Sequence, residues 1–264
     1  MNVAIVGGGV MGEAILGAAL ERGVFSPDSI IVAEIVEARR NELHARYGVR
    51  TTGAASDAMG AADLVVLSVK PQDMRSVGAS LPPSSLLISV MAGVTIATLR
   101  ETYAHERIVR VMPNTPVAVR AGMSVWTASA DVSHQQKELA RGLLAALGHE
   151  LFVADERKLD MATAVSGSGP AYVFLFIEAL IEGGVAVGLS RKEAEEMVVQ
   201  TVYGSAVYAR QSRASVADLR AQVTSPAGTT AAGLLQLERA ALRAALIDGV
   251  RAAFARSVEL GQQP

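Results

Sequence analysis

No cysteine occurs anywhere in the 264 residues. Disulfides and thiolate metal sites are therefore excluded, and the chain is compatible with a reducing compartment. Histidine is nearly as scarce. His44, His105, His134 and His149 are scattered with no ligand spacing among them, so each reads as an exposed or singly hydrogen-bonded side chain, and no metal site is expected. A surplus of positive charge is missing too. Lys and Arg number 24 against 26 Asp and Glu, a formal charge of -2. Nothing there neutralises a phosphate backbone, so nucleic acid is not an expected partner. Local basic clusters such as Arg39-Arg40 still offer small-anion sites. Met1 to Val6 lacks the charged start and small-residue cleavage site of a secretory signal, and a cytoplasmic location is expected. The most apolar long stretch, Pro170 to Leu189, carries Glu178, Glu182 and three glycines. A lipid-spanning helix avoids such carboxylates, so this stretch is expected to be a buried helix of a soluble protein, with no membrane partner.

What is present is a globular composition, with 50% hydrophobic and 19% charged residues, long enough for one large domain or two modest ones. The first half alternates. Val3 to Val6 is an apolar run ending in glycines. A helical stretch over about 11–22 follows, with Gly23 placed as its C-terminal cap. Ile30 to Ala33 precedes a polar helical stretch over about 36–47. Leu64 to Val69 is almost wholly apolar, as a strand covered on both faces must be, and Leu86 to Val90 and Ile108 to Met112 repeat it. Short β-rich runs separated by helices predict a parallel sheet with right-handed crossovers.

The pattern changes near Val153, and from Glu156 onward only helices are convincing. Ser190 with Glu193 is a capping box opening a helix to about Gln211, and Ser215 with Asp218 is a weaker version. The last helix is expected over about 230–260, bent near Gly249 or broken around Arg239. The domain boundary is placed at about Ala154. The helical half has apolar residues on more than one face, among them Val198, Val199, Val202 and Val207. Gly183-Gly184 costs stability there unless another backbone packs closely. Such a domain is expected to complete its core against a second copy of itself.

The strongest N-terminal signal is Gly7-x-Gly9-x-x-Gly12, directly after one strand and directly before a helix. Gly7 permits the tight turn, Gly9 lets a pyrophosphate approach the backbone, and Gly12 packs the helix close to the strand. The phosphates then meet the free N–H groups of Val10, Met11 and Gly12. This predicts a Rossmann-type dinucleotide domain. Glu34 stands twenty-two positions after Gly12. An acid there binds the ribose hydroxyls of NAD and repels a 2′-phosphate, whereas Arg39 and Arg40 attract one; a solvated strand-end carboxylate is the plainer alternative. Lys70, between Val69 and Pro71, ends the third apolar run, where it meets a phosphate, ribose or substrate group or stays a surface lysine. Ala92-Gly93 and Asn114 likewise follow strands, and Asn114 is equally a turn residue. In the helical half, Ser166 to Pro170 and Thr224 to Thr230 are small-residue loops at helix N-termini. Backbone N–H groups hold a carboxylate at such places, or a hydroxyl simply caps the helix.

At these loops the sequence resembles the pyrroline-5-carboxylate reductase family. The matching stretches are IVGGGVMGEAI, SVKPQ, VMAGVTI, RVMPNTPV, AVSGSGPAYVF, EALIEGGVAVGL and QVTSPAGTTAAGL, in family order over nearly the whole chain. The resemblance implies a Rossmann domain over 1–154 and an all-helical substrate-binding and dimerisation domain over 155–264, assembled as a homodimer or a ring of dimers. It implies reduction of the ring C=N of pyrroline-5-carboxylate to proline by NADPH or NADH. The cofactor set is then Gly7, Gly9, Val10, Met11, Gly12 and Glu34, with Ser56, Val69, Lys70, Pro71, Ala92 and Gly93. On the substrate side, Ser225, Gly228, Thr229 and Thr230 hold the carboxylate through backbone N–H groups. Thr230 hydrogen-bonds the ring nitrogen as the catalytic residue, and Glu156 lies beside the substrate. Two departures stand out. Ala227 replaces the usual glycine, which narrows the pocket if the position needs a positive φ. Glu34 replaces the small polar residue of NADPH-preferring members and is expected to bias the site towards NADH.

Two other readings compete. A 3-hydroxyacid dehydrogenase shares the plan but needs a proton-transfer residue such as lysine in the helical half, and neither Lys158 nor Lys192 sits in a glycine-rich helical motif. A non-catalytic NAD(P)-binding regulator keeps the Gly7–Gly12 loop but has little reason to keep two small-residue loops in its second domain.

Overall fold

The computed structural model describes residues 1–78 and 80–261; positions 262–264 of the expected second domain lie outside them. Packing divides the chain into two units, Met1–Ser168 with Ala253–Pro264, and Gly169–Ala252. This division differs from the expected boundary at Ala154. Helix α6 (Lys158–Ala162) packs on the sheet of the first unit, and the chain's last turns belong to that unit as well.

The first unit is built on eight strands in the order β3-β2-β1-β4-β5-β6-β7-β8. These are β1 (Val3–Val6), β2 (Ile30–Ala33), β3 (Arg50–Thr52), β4 (Leu64–Leu67), β5 (Leu86–Ser89), β6 (Ile108–Met112), β7 (Gly122–Ala128) and β8 (Gly148–Phe152). Their helices are α1 (Val10–Glu21), α2 (Glu37–Tyr47), α3 (Ala55–Met59), α4 (Ile96–Tyr103) and α5 (His134–Ala146). Alternate residues of the central strands feed two cores. Val3 and Ile5 join Leu16, Val66, Ile88, Trp126 and Leu144 on one face. Ala4 and Val6 join Met59, Val65, Leu87 and Leu99 on the other. A strand buried on both faces has no polar alternation to display, which is why these runs read as continuously apolar.

The expected parallel sheet is present, with one antiparallel pair near its far edge. β7 runs antiparallel to β6, and β8 then pairs parallel with β7. The span from Pro113 to Ala121 folds into a 3-10 turn over Thr115–Val119, too short for a crossover helix. β3, β7 and β8 escaped the sequence reading because they lack a continuous apolar run. β3 is the polar edge Arg50-Thr51-Thr52, and β8 is half open to solvent at the other edge.

In the second unit, α7 (Gly169–Ala186), α8 (Arg191–Gln211), α9 (Val216–Gln222) and α10 (Thr229–Arg239) precede α11 (Leu242–Gly261), which continues into the first unit. Both expected capping boxes form, Ser190 with Glu193 and Ser215 with Asp218. The break in the last helix falls just after Arg239, at Ala241, whose φ is 56°; α11 runs through Gly249 without interruption. A Cβ on Gly184 would stand 3.0 Å from the Ala194 side chain, so the close approach that this glycine serves is made by α8 of the same chain. The expected burial of Pro170–Leu189 is not supplied within one chain. Within one chain α7 buries only Ile181, while Phe174 and Leu175 are 63% and 65% exposed. By length and composition alone, the helical span Lys158–Ala186 could cross a membrane.

Candidate functional site

Glu34, the Gly7–Gly12 turn, Lys70 and Gly93 follow β2, β1, β4 and β5, which are neighbours in the sheet. The fold therefore aligns their carboxyl ends in one row, with the reversal of strand order between β1 and β4, where open parallel sheets bind ligands. Each glycine of the turn does different work. Gly7 has φ +99°, and a Cβ there would sit 2.9 Å from the Ser68 backbone. A Cβ on Gly12 would collide with the Gly7 carbonyl at 2.0 Å, so only glycine lets α1 start this close to β1. A Cβ on Gly9 would meet nothing within 4 Å. The open side of the turn is thus where a ligand can reach the backbone. Gly9 caps α1 without a side-chain bond, leaving the first-turn N–H groups of Val10, Met11 and Gly12 without an intrahelical partner. These features suit a pyrophosphate: unpaired donors, the positive end of a helix dipole and no side chain in the way.

Ser68 secures the turn. Its Oγ donates to the Gly7 carbonyl at 2.6 Å. Glu34 adjoins the turn directly, accepting from the Gly8 N–H at Oε2 and from the Val36 N–H at Oε1, both at 2.9 Å. The two arginines that follow are already engaged. Arg39 Nε donates to the Gly8 carbonyl at 2.8 Å, and its two terminal nitrogens pair with Glu42 and Glu13. Arg40 donates through one nitrogen to the carbonyls of Glu34 and Ile35. Glu13 in turn accepts from Arg46 and from the Tyr47 hydroxyl. Burial works to raise its carboxyl, but the hydrogen bonds from Arg39 and Tyr47 and the charges of Arg39 and Arg46 outweigh it and hold the group below its ordinary value.

Of the remaining expected cofactor residues, Lys70 is exposed and leads with Val69 into the 3-10 turn that starts at Pro71. Ala92 is exposed, and Gly93 takes φ +76° beside Leu260 and Gly261 of α11. Ser56 is exposed on α3, which packs against β1 and β2. Asn114 is a fastener: its Oδ1 accepts from the Met123 N–H at 2.8 Å and ties the 3-10 turn to β7.

Glu156 has two structural partners. Its Oε1 accepts from the Ile96 N–H at 2.8 Å, at the start of α4, and from Arg110 at 2.9 Å. Arg110 also reaches Asp160 at 3.3 Å, and Ser257 of α11 donates to the same Asp160 oxygen. Sequence reasoning missed Arg110. The available signal was a lone charge in the apolar strand Ile108-Val109-Arg110-Val111-Met112, since a buried cation in a strand covered on both faces demands carboxylate partners.

The second unit carries the other expected site residues. Ser225 to Gly228 forms a turn in which the Gly228 N–H donates to the Ser225 carbonyl at 3.1 Å, and Gly228 caps α10. The Thr229 and Thr230 N–H groups open the helix, and the Thr230 hydroxyl makes no hydrogen bond among the described residues. Ala227 sits at φ 57°, the left-handed conformation that a glycine would occupy without strain. The companion loop is not one. Thr163–Gly167 is a π-helical turn, and the Ser168 N–H is spent on the Thr163 carbonyl at 2.8 Å. The expected free helix start at Ser166–Pro170 is therefore absent. Gly167 instead gives room to Met112, whose Cε lies 2.7 Å from where a Cβ would be.

Comparison with known proteins agrees with this arrangement. The family model for pyrroline-5-carboxylate reductase dimerisation matches residues 156–260, and one for NADP oxidoreductase, coenzyme F420-dependent, matches residues 2–93. Pyrroline-5-carboxylate reductase of Synechocystis is 41% identical, covering 100% of this chain and 99% of the relative. That of Arabidopsis thaliana is 37% identical, covering 99% and 96%. Among solved structures, the pyrroline-5-carboxylate reductase of Coxiella burnetii superposes with a TM-score of 0.91 at 36% identity, covering 99% of each chain. The Plasmodium falciparum pyrroline carboxylate reductase with NADP bound gives 0.88 at 29% identity, covering 99% and 98%. With the dinucleotide turn, the helical half and full-length similarity in agreement, the chain belongs to the pyrroline-5-carboxylate reductase family.

Proposed function

We propose that this chain reduces L-1-pyrroline-5-carboxylate to L-proline with NADPH or NADH, the last step of proline biosynthesis. The observation that carries the reading is the open side of the turn at Gly9, with unpaired N–H groups behind it, in a chain matched end to end by reductases of that name. The N–H groups of Val10, Met11 and Gly12 take the pyrophosphate and Glu34 takes the ribose. Lys70 serves a phosphate, ribose or substrate group, while Ser56, Val69, Pro71, Ala92 and Gly93 line the row of strand ends. When bound, the nicotinamide supplies a hydride to the ring carbon of the C=N bond.

The substrate side follows from the second unit. The α10 N-terminus presents the Thr229 and Thr230 N–H groups to a carboxylate, with Ser225 and Gly228 shaping the turn before it. The unpartnered Thr230 hydroxyl hydrogen-bonds the ring nitrogen. A hydroxyl with a pKa far above neutral is a poor proton source, so Thr230 orients the nitrogen and water supplies the proton. Glu156 lies beside the substrate with Oε1 fixed by Ile96 and Arg110. No covalent nucleophile is needed, because a protonated imine is already a hydride acceptor and the task reduces to positioning.

The functional division is placed at 1–154 and 155–264, in line with the dimerisation match over 156–260. The exposed apolar face of α7 is the seam of a homodimer, further assembled as a ring of dimers, and not a lipid-facing surface; the protein is cytoplasmic and binds neither membrane nor nucleic acid. The test follows the absorbance of the reduced nicotinamide with pyrroline-5-carboxylate added, and measures proline formed. Equimolar proline is expected. Turnover with a 3-hydroxyacid alone, or cofactor binding without turnover, overturns the reading.

A further inference from the structure

The β1–α1 turn, the end of β2 and the start of α2 share an ion-pair relay that hydride transfer does not require. Glu34 is locked beside the turn by the N–H groups of Gly8 and Val36. Arg39, five positions on and the residue expected to attract a 2′-phosphate, is bound to the Gly8 carbonyl and flanked by the carboxylates of Glu13 and Glu42. These two carboxylates, one of them shared with Arg46, offset the positive charge that Arg39 would offer a dianion. Glu13 is itself pinned from three sides, by Arg39, Arg46 and the Tyr47 hydroxyl, so it is not free to release its partner. Glu42, by contrast, is on the same helix as Arg39 and more than half exposed, which makes it the looser partner.

We propose that Glu13 is a specificity-determining positioning residue: by holding Arg39 against α1 it keeps that guanidinium from the ribose 2′ position, and together with Glu34 it makes the chain select NADH over NADPH. The inference rests on the dinucleotide reading of the turn. Glu34 supplies the repulsion, since a carboxylate at the end of the second strand accepts from a ribose hydroxyl and opposes a phosphate. Glu13 removes the compensating attraction. Arg40 does not replace it, because its NH1 is committed to the carbonyls of Glu34 and Ile35, just past β2, and lies 3.3 Å from where a Cβ on Gly53 would be.

The two parts predict coupled effects. Glu34→Ser alone lifts the repulsion but leaves Arg39 withdrawn. Adding Glu13→Gln removes the carboxylate charge that holds Arg39 against α1, so the arginine's contribution appears chiefly in that background. A charge-assisted contact to a phosphate corresponds to about a 10-fold change in binding.

The experiment measures dissociation constants of NADH and NADPH for the full-length protein by nicotinamide fluorescence titration, with circular dichroism and thermal melts on every variant. Wild type is expected to bind NADH at least about 10-fold more tightly than NADPH, and Glu34→Ser to reduce that preference by about 10-fold. Glu34→Ser with Glu13→Gln should move the ratio about a further 10-fold towards NADPH, and adding Arg39→Ala should abolish that last gain. With Glu13 intact, Arg39→Ala in the Glu34→Ser background should leave the ratio where it was, an arm that needs no Glu13 variant to fold. A role limited to holding α1 and α2 together would shift both cofactors alike. If wild type binds neither cofactor, the dinucleotide reading itself fails. If it binds both but favours NADPH, the proposed selection is overturned. If it favours NADH but Arg39→Ala already changes the ratio beside an intact Glu13, or the Glu13→Gln gain survives loss of Arg39, the role of Glu13 is overturned.

Discussion

Arg110 lies 2.9 Å from Glu156 and 3.3 Å from Asp160, with its side chain only 4% exposed. This guanidinium fastens β6 to α6, and through Ser257 and Asp160 to α11. Removing one partner of a buried pair leaves uncompensated charge, here two facing carboxylates, at roughly 3–5 kcal/mol; partial exposure of both acids favours the lower end. Arg110→Met should therefore lower Tm by about 6–12 °C. Glu156→Gln, which keeps an acceptor for Ile96 and Arg110, should cost less. Equal losses in the two variants would show that the pair does not carry the anchoring.

Ala227 carries a strain that its replacement should relieve. An alanine at φ 57° costs about 1–2 kcal/mol against the right-handed region. Glycine escapes it but loses more chain entropy on folding, about 0.4–1 kcal/mol. Ala227→Gly should thus stabilise by about 0.5–1 kcal/mol and raise Tm by about 1–4 °C, and Ala227→Val should lower it. Thermal melts of the two variants decide; a lower Tm for the glycine variant contradicts the argument.

Much of this molecule was legible in its sequence because local chemistry fixed it locally. Gly7, Gly9 and Gly12 announced their turn, Ser190 and Glu193 their cap, and the continuous apolar run at Leu64–Leu67 its place in the middle of the sheet. The missed features depend on partners distant in sequence. Nothing near Arg110 shows that Glu156 and Asp160 await it. The reversal of β7 follows from the short Pro113–Ala121 connection, not from the composition of Met123–Ala128. The loop reading of Ser166–Pro170 failed because small residues serve equally in a π turn, where Gly167 yields to Met112. The exposure of Phe174 and Leu175 was hidden because an apolar helix reads alike whether its own chain or a second copy covers it.

That exposed face sets a prediction for assembly. Large apolar side chains of α7 and α8, including Phe174, Leu175, Met197 and Tyr203, are exposed in the single chain, more than a stable monomer usually leaves to water. Full-length protein at micromolar concentration should sediment as a dimer or a multiple of one. Leu175→Glu should move it towards monomer and reduce thermal stability, since charge at the core of an interface is not tolerated. A wild-type monomer that melts cooperatively at those concentrations would contradict the dimer.

Acid should loosen the first unit partly through Glu13. Its carboxyl is held below the ordinary value of 4.5 despite burial, because Arg39 and Tyr47 donate to it and Arg39 and Arg46 lie close. A group depressed on folding stabilises the native state above its unfolded value and loses that contribution as pH falls through the folded value. The Tm difference between wild type and Glu13→Gln should be full at neutral pH, then shrink from about pH 4.5 downward. A difference independent of pH would mean that the carboxylate charge is not what stabilises α1 against α2.

Thr230 offers the sharpest separation between catalysis and folding. Its hydroxyl has no partner among the described residues, although it stands in the first turn of α10 beside N–H groups suited to a carboxylate. The cap position itself is filled by Gly228, which uses no side chain. A mere helix cap at Thr230 would place its oxygen on a backbone N–H and cost about 1 kcal/mol of stability when removed; no such bond is present, so Thr230→Ala should barely shift Tm. A hydrogen bond to the charged ring nitrogen is worth roughly 1.5–3 kcal/mol, which corresponds to about a 10- to 150-fold loss in rate. Thr230→Ala should therefore lower kcat/KM for pyrroline-5-carboxylate by about that factor, leave NAD(P)H affinity nearly unchanged and melt like wild type. Thr230→Ser, which restores the hydroxyl, should recover most of the activity. Steady-state kinetics, cofactor titration and melts on the same two variants give the answer. An alanine variant with wild-type kcat/KM removes Thr230 from the mechanism, and one that loses stability and activity in proportion reduces it to a structural residue.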